Sequence, residues 1–291
     1  MTCSECPRAC AALRTESAAE GACRSPAVVR LARAALHFWE EPCISGTRGS
    51  GAMFFSGCPL RCVFCQNYII SHEGLGKTVD VPRLRRIMDE LRTQGAHNIN
   101  LVSPTHYAHA LLEVFDGYRP GIPIVYNCSG YESVQTLRAL SGIVDIYLTD
   151  LKYFGTAPAK KYSGAEDYFA VASRAVLEMS AQKPECVMDA DGIMRSGLII
   201  RHLVLPGNTL DTLRVLDWCA EHIGQRALYS IMSQFTPTEH TQGIKPLDRR
   251  LTPAEYARVE RYTRELGLHG YIQELSSAKE EYTPPFDFTG V

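Results

Sequence analysis

From about residue 51 onward, short apolar runs alternate with stretches whose apolar residues recur at helical spacing. The runs at 51–57, 99–102, 123–127, 144–151, 198–205 and 227–235 read as buried strands. Between them, Leu84, Ile87, Met88 and Leu91 share one helical face, as do Ala108, Leu111, Leu112 and Phe115. Val134, Leu137 and Leu140 mark a third, shorter helix, and a longer helical region runs from the fourth strand to about Met179. Residues 184–197 read as a turn-bearing connection, and Leu213, Leu216, Ala220 and Ile223 mark the helix after the fifth strand. Asp80 before Pro82 is a start signal, and Thr252-Pro253-Ala254-Glu255 is a capping box with proline in the first turn of a helix that closes at Gly267. Such alternation predicts parallel strands with crossover helices. Six units are too few for a complete eight-fold barrel, so the expected class is α/β, a partial (β/α)6 TIM-like barrel.

Residues 1–50 have a different texture, rich in Ala, Glu and Arg with little strand character. They read as a small cysteine-rich segment ahead of a barrel at 51–291. Apolar Val28, Leu31, Ala32, Ala35 and Leu36 predict an amphipathic helix over 27–38, broken at Glu40-Glu41-Pro42. Cys43 reads as filler, and Trp218 and Cys219 as core.

The chain has 291 residues, 45% hydrophobic and 21% charged, which suits one large domain with a real core. A net charge of −2 carries no electrostatic footprint for nucleic acid. No apolar run approaches the ~20 residues that span a bilayer, and no signal-peptide pattern opens the sequence. Eleven cysteines without an export signal point to a reducing compartment, the cytoplasm, and to metal ligation.

Two cysteine groups stand out. Cys58, Cys62 and Cys65 form C-x3-C-x2-C immediately after the first strand, in a backbone bent by Gly57 and Pro59. Short-spaced thiolates suit an iron–sulfur cluster. A structural zinc site would need four ligands, and the nearby fourth candidate, His72, is badly spaced. Three ligands on a four-iron cluster leave one iron open. Cys3, Cys6, Cys10 and Cys23 form a second set, a full complement for either zinc or another cluster, with the close trio Cys3, Cys6 and Cys10 its firmer part.

In parallel α/β barrels, ligands gather at the C-terminal strand ends. After the cysteine loop those ends carry Ser103 to Tyr107, Asn127 to Tyr131, Thr149 to Lys152, Arg201 to Gly207 and Ser233 to Thr236. Asp150 and Lys152 share one face. Arg201, inside an apolar strand, needs an acidic partner, either a ligand carboxylate or Asp150 itself. His106 and His109 read as a surface feature.

The C-x3-C-x-aromatic-C pattern, with Phe64 as the aromatic, resembles the signature of the radical S-adenosylmethionine (SAM) superfamily. The block from Phe54 to Ser71 and the chain beyond it resemble the branch related to pyruvate formate-lyase-activating enzymes, among them iron–sulfur proteins with a cysteine-rich N-terminus. The resemblance implies a [4Fe-4S] cluster on Cys58, Cys62 and Cys65, and SAM as second cofactor. It implies that Lys152 and Arg201 contact SAM, that Asn127 and Ser129 lie near its ribose, and that Phe64 lies beside its adenine. Ser103, Asp150 and Gln234 complete the cofactor-facing set at the strand ends. One departure concerns strand two: relatives end it with Gly-Gly-Glu, whereas this chain has Val102-Ser103-Pro104-Thr105. The implied chemistry is reductive cleavage of SAM to a 5′-deoxyadenosyl radical that takes hydrogen from a substrate, with flavodoxin or ferredoxin as reductant. Substrate alternatives are a glycyl-radical enzyme, another protein, or a small molecule. A non-catalytic iron–sulfur or zinc protein is the competing class.

Overall fold

The six strands expected from the apolar runs lie side by side in one sheet of a computed structural model that describes residues 3–17, 20–275 and 283–291. In chain order the strands are β1 (Arg30–His37), β2 (Ser50–Phe55), β3 (Lys77–Thr78), β4 (Ile99–Val102), β5 (Ile124–Cys128), β6 (Ile146–Asp150), β7 (Val187–Met188), β8 (Met194–Leu203), β9 (Leu228–Met232) and β10 (Gly270–Ile272). The α-helices are α1 (Pro42–Ser45), α2 (Tyr68–Ser71), α3 (Val81–Thr93), α4 (Ala108–Phe115), α5 (Val134–Leu140), α6 (Thr156–Ser163), α7 (Tyr168–Gln182), α8 (Thr209–His222) and α9 (Pro253–Glu265).

Sheet order is β10-β9-β8-β6-β5-β4-β2-β1-β3, with β7 attached to β8. From β2 through β9 every neighbour along this path is parallel, and β10 adds a short parallel strand beside β9. The linear order leaves the barrel open, as a partial (β/α)6 barrel requires. Alternation along β4 sends Leu101 outward among the helices and Val102 inward beside Ala52 and Phe54. By the same rule Asn100, Asn127, Asp150 and Arg201 face the lumen.

The helix expected over 27–38 is instead β1, antiparallel to β2. Its apolar spacing is helical, and the sheet overrides it: β2 would otherwise present an open edge. Leu31, Ala32 and Ala34 are buried there. The long helical region after β6 is two helices, α6 and α7, parted where Gly164 takes a left-handed backbone at φ 56° and caps α6. The 184–197 connection is a hairpin of β7 with the early part of β8, which begins at Met194.

Between β1 and β2 the chain folds α1 into the lumen. Cys43 and Ile44 pack there with Val125, Ile146, Leu148, Met194 and Ile199, closing the N-terminal end of the barrel. Asn98 Nδ2 fixes this plug by donating to the Ile44 carbonyl at 2.8 Å. The open end left at the C-terminal side is where the cysteine loop sits.

The α9 start forms as its sequence predicts. Thr252 Oγ1 accepts from the Glu255 N–H at 3.3 Å, and Glu255 Oε2 accepts from the Thr252 N–H at 2.9 Å. Thr252→Ala is expected to lower unfolding free energy by about 1 kcal/mol, the usual worth of an N-cap. Urea denaturation checks this, and an unchanged midpoint would remove the cap from the account.

Candidate active site

The cysteine loop leaves β2 through Gly57 at φ 90°. A β-carbon there would stand 1.9 Å from Ser25 Oγ and 2.9 Å from the Cys23 carbonyl, so glycine lets the N-terminal segment press against the loop. Two of the three thiols have hydroxyl partners: Ser163 Oγ lies 3.0 Å from Cys62 Sγ, and Ser71 Oγ 3.3 Å from Cys65 Sγ. Burial pushes the Cys58 thiol up to about 12, and the neighbouring Cys62 and Cys65 push the same way. Burial also raises Cys65, with Cys62 adding to it and the Lys152 ammonium opposing. Among the described residues, no three Cys, His, Asp or Glu side chains converge closely enough to hold a single metal ion.

Beneath the loop lies a polar layer. Arg201 Nε donates to Asp150 Oδ1 at 2.9 Å, Nη1 to Glu40 Oε2 at 3.1 Å, and Nη2 to Asn127 Oδ1 at 2.7 Å. Lys152 Nζ donates to Asp150 Oδ2 at 2.5 Å. Glu40 Oε1 also accepts from Asn100 and Asn127 at 3.0 and 3.1 Å. Burial alone would raise the Asp150 carboxyl, but Arg201 and Lys152 outweigh it and hold it below the usual range. Glu40 and Glu41 go the other way: burial raises both, with Arg201 only partly offsetting it.

The layer joins Asn127, Asp150, Lys152 and Arg201, four of the residues expected to face the cofactor. Asp150 is ion-paired with both Arg201 and Lys152. The Tyr168 hydroxyl ties in the Ser129 carbonyl at 2.8 Å and accepts from the Lys152 N–H at 2.9 Å. Ser129 Oγ itself is buried and has no partner among the described residues. Ser103 takes a left-handed backbone at φ 59° and donates its N–H to the Asn127 carbonyl. Gln234 pairs with Gln273 at 3.2 Å. Phe64 is buried edge-on to Tyr153, Tyr162 and Phe235.

In the N-terminal segment Cys3, Cys6 and Cys23 are buried and Cys10 is exposed. Burial pushes Cys6 up to about 12, with Cys23, Glu132 and Cys3 contributing. Two arginines fasten the segment. Arg8 donates to the Pro59 carbonyl and the Ser163 carbonyl, both at 2.8 Å, so it reaches the neighbours of Cys58 and Cys62. Arg14, stacked over Tyr107, donates to the carbonyls of Ser25, Pro26 and His106.

His106 is not a surface feature. It is fully buried, its Nε2 lies 2.8 Å from the Ser56 carbonyl, and burial lowers its pKa to about 3. The tertiary fold overrides the exposed reading because Arg14 and β2 cover this turn. His109 is partly exposed and faces the Glu5 carboxylate.

Sequence reasoning missed Glu40, Glu41, Arg8, Arg14 and Glu132. The acidic pair precedes Pro42 and reads as a break, although two acids beside the buried Cys43-Ile44 run were a usable signal. Glu132 is 1% exposed and accepts from the Thr105 and Tyr126 hydroxyls at 2.8 and 3.1 Å. Burial pushes its carboxyl up to about 8 against those hydrogen bonds, so the folded chain holds this proton more tightly than the unfolded one. That stabilisation is full below the ordinary glutamate range and is lost as pH climbs through about 8. Melting temperature is accordingly expected to fall between about pH 5 and pH 8, and Glu132→Gln to flatten that share of the slope. Equal slopes in the two proteins would contradict the assignment.

No protein-family profile matches the chain. It is 30% identical over 230 residues to Uncharacterized protein MJ0674 of Methanocaldococcus jannaschii, across 76% of this chain and 62% of that one. Among solved structures it is similar to Streptococcus suis SuiB bound to precursor peptide SuiA, with a TM-score of 0.53 at 14% identity, over 76% of this chain and 48% of SuiB. SuiB bound to S-adenosylmethionine gives 0.51 at 15% identity, over 79% and 51%. The chain thus spans about half the length of SuiB and less than two thirds of MJ0674. At these identities the structural likeness is one of fold, and the chain has the partial α/β barrel of SuiB, the architecture that the radical SAM resemblance implies.

Proposed function

We propose that this chain is a radical SAM enzyme in which Cys58, Cys62 and Cys65 hold a [4Fe-4S] cluster with one iron open to S-adenosylmethionine. The observation that carries the reading is three thiols on one glycine-bent loop, two of them beside serine hydroxyls, above a charged, strand-end layer. The donor set fits a cluster. A structural zinc ion takes four protein ligands, and this loop offers three thiols. A cluster takes one thiolate per iron and keeps the sulfurs apart. When bound, the cluster and SAM supply one-electron cleavage of a carbon–sulfur bond and the hydrogen-abstracting radical.

The chain's own residues bind and orient. Ser71 and Ser163 aim hydroxyls at Cys65 and Cys62, which drains charge from thiolate sulfur and tunes the potential. Lys152 and Arg201 supply positive charge for the SAM carboxylate, Asp150 holding both in place until a ligand competes. The unpartnered Ser129 Oγ is free to meet a ribose hydroxyl beside Asn127. Buried Phe64, with Tyr153 and Tyr162, walls the loop and excludes water. Ser103 and Gln234 line the second and sixth strand ends.

A polypeptide substrate, such as a glycyl-radical enzyme to be activated, is supported by the pyruvate formate-lyase-activating-enzyme-like motif and by the fold shared with SuiB, which binds a precursor peptide. A small-molecule substrate is favoured by one observation: the Arg8 clamp lays the 1–50 segment against the cysteine loop. Cys3, Cys6, Cys10 and Cys23 in that segment form the second proposed metal site, for zinc or another cluster. Flavodoxin or ferredoxin in the cytoplasm would supply the electron.

Anaerobic reconstitution with iron and sulfide, then dithionite and SAM, is expected to yield 5′-deoxyadenosine. A combined Cys58→Ala, Cys62→Ala, Cys65→Ala variant is expected to lose about four irons and all product. A protein that keeps its iron without those thiols, or yields no 5′-deoxyadenosine, contradicts the proposal. Ser129→Ala is a separate check. Removing an unpartnered buried hydroxyl leaves stability unchanged or slightly raised, within about 1 kcal/mol, while SAM binding weakens. Unweakened binding would remove Ser129 from the ligand's contacts.

A further inference from the structure

Cys65 shares its serine with a histidine. Ser71 Oγ lies 3.3 Å from Cys65 Sγ and 2.9 Å from His72 Nδ1, and His72 Nε2 lies 3.0 Å from the Arg61 carbonyl. A carbonyl only accepts, so Nε2 carries a proton in this bond. In the neutral ring Nδ1 is then a bare acceptor. The Ser71 hydroxyl has one proton, and it goes to Nδ1 at the shorter distance, leaving Cys65 without it. In the charged ring Nδ1–H donates to Ser71 Oγ instead, which releases the hydroxyl proton toward the Cys65 sulfur. The Tyr68 carbonyl, at 3.4 Å, is the most distant acceptor for that proton.

The ring is held in place for this task. Tyr68 stacks on His72 with centroids 4.0 Å apart and planes 7° from parallel, and His240 stacks on Tyr68 at 3.4 Å. Cys62 is served differently. Its serine, Ser163, lies 2.7 Å from the Tyr153 hydroxyl, which can donate its own proton and leave that of Ser163 for the sulfur. The charged and titratable groups around His72 are Arg61 of the cysteine loop, Arg24 of the N-terminal segment, Tyr68, and His240 with Glu239 beside it at 3.5 Å. Burial lowers the His72 pKa from the ordinary 6.5; the Arg61 carbonyl opposes this, and the charges of Arg61, His240 and Arg24 add to it. His72 is accordingly neutral at pH 7.

We infer that His72 is a positioning residue for the cluster, directing the Ser71 proton away from Cys65 when neutral and toward it when charged. The inference rests on the cluster reading above, in which Cys65 is an iron-bound thiolate. Reduction adds one negative charge to the cluster, so a hydrogen bond to its sulfur favours the reduced state and raises the potential. The potential is therefore higher at acid pH, where His72 is charged, and lower once the ring is neutral.

Redox titration of the anaerobically reconstituted protein, without SAM and followed by electron paramagnetic resonance between about pH 5.5 and pH 8, tests it. The ratio of reduced to oxidised cluster at a fixed potential is expected to rise about tenfold toward the acid end, about 59 mV for a one-electron couple. His72→Gln, which stays polar but does not titrate, is expected to flatten this dependence. Ser71→Ala, which removes the relay while His72 still titrates, is expected to flatten it too, and either variant decides the matter if the other fails to take up iron. A dependence kept in Ser71→Ala would assign the effect to charge acting through space, and one kept in His72→Gln to another group; each overturns the inference. A flat profile in the natural chain overturns it as well and leaves the cluster reading intact. Failure of the natural chain to take up iron overturns both together.

Discussion

The structure depends most on how the Arg201 guanidinium is answered inside the barrel. A cation placed in an apolar strand must find anions within the protein or stay hydrated, and little water reaches a side chain that is 16% exposed. Arg201 collects Asp150 from β6, Asn127 from β5 and Glu40 from the plug, so one side chain ties three parts of the fold around the lumen. Breaking such a buried pair typically costs about 3–5 kcal/mol, because the partner is left charged and dry. The same hub keeps Lys152, through Asp150, pointed toward the cysteine loop. Structural and functional demands therefore fall on the same few residues.

The N-terminal segment is fastened to that loop and not merely adjacent to it. Arg8 reaches the carbonyls of Pro59 and Ser163, and Gly57 lacks the side chain that would keep Cys23 and Ser25 away. Cys3, Cys6 and Cys23 are buried in that contact, while Cys10 points outward.

Much of this was legible in the chain, and the reasons are physical. Parallel strands buried on both faces leave apolar runs that little else produces, which is why β4 was read to the residue. The α9 cap was legible because its reciprocal hydrogen bonds need Thr and Glu at one spacing. That the cysteines sit on a loop directly after β2 was legible because Gly57 and Pro59 end the strand. β1 was not, because its apolar residues recur at helical spacing and only pairing with the edge of β2, through a register shift at Leu31/Arg33, makes it a strand. β10, three residues long, is too short to signal itself. Glu40 and Glu41 read only as a break because local sequence does not say that α1 turns into the lumen. His106 failed for the same reason, since its burial is imposed by Arg14 and Ser56 from distant segments.

The central claim is that three thiolates leave one iron open at the barrel mouth and that SAM occupies it. Electron paramagnetic resonance of the reduced, reconstituted protein tests this most directly. The account predicts a cluster signal whose g-values shift when SAM is added. A cluster signal identical with and without SAM would mean that the iron is already closed by the protein, and would contradict it.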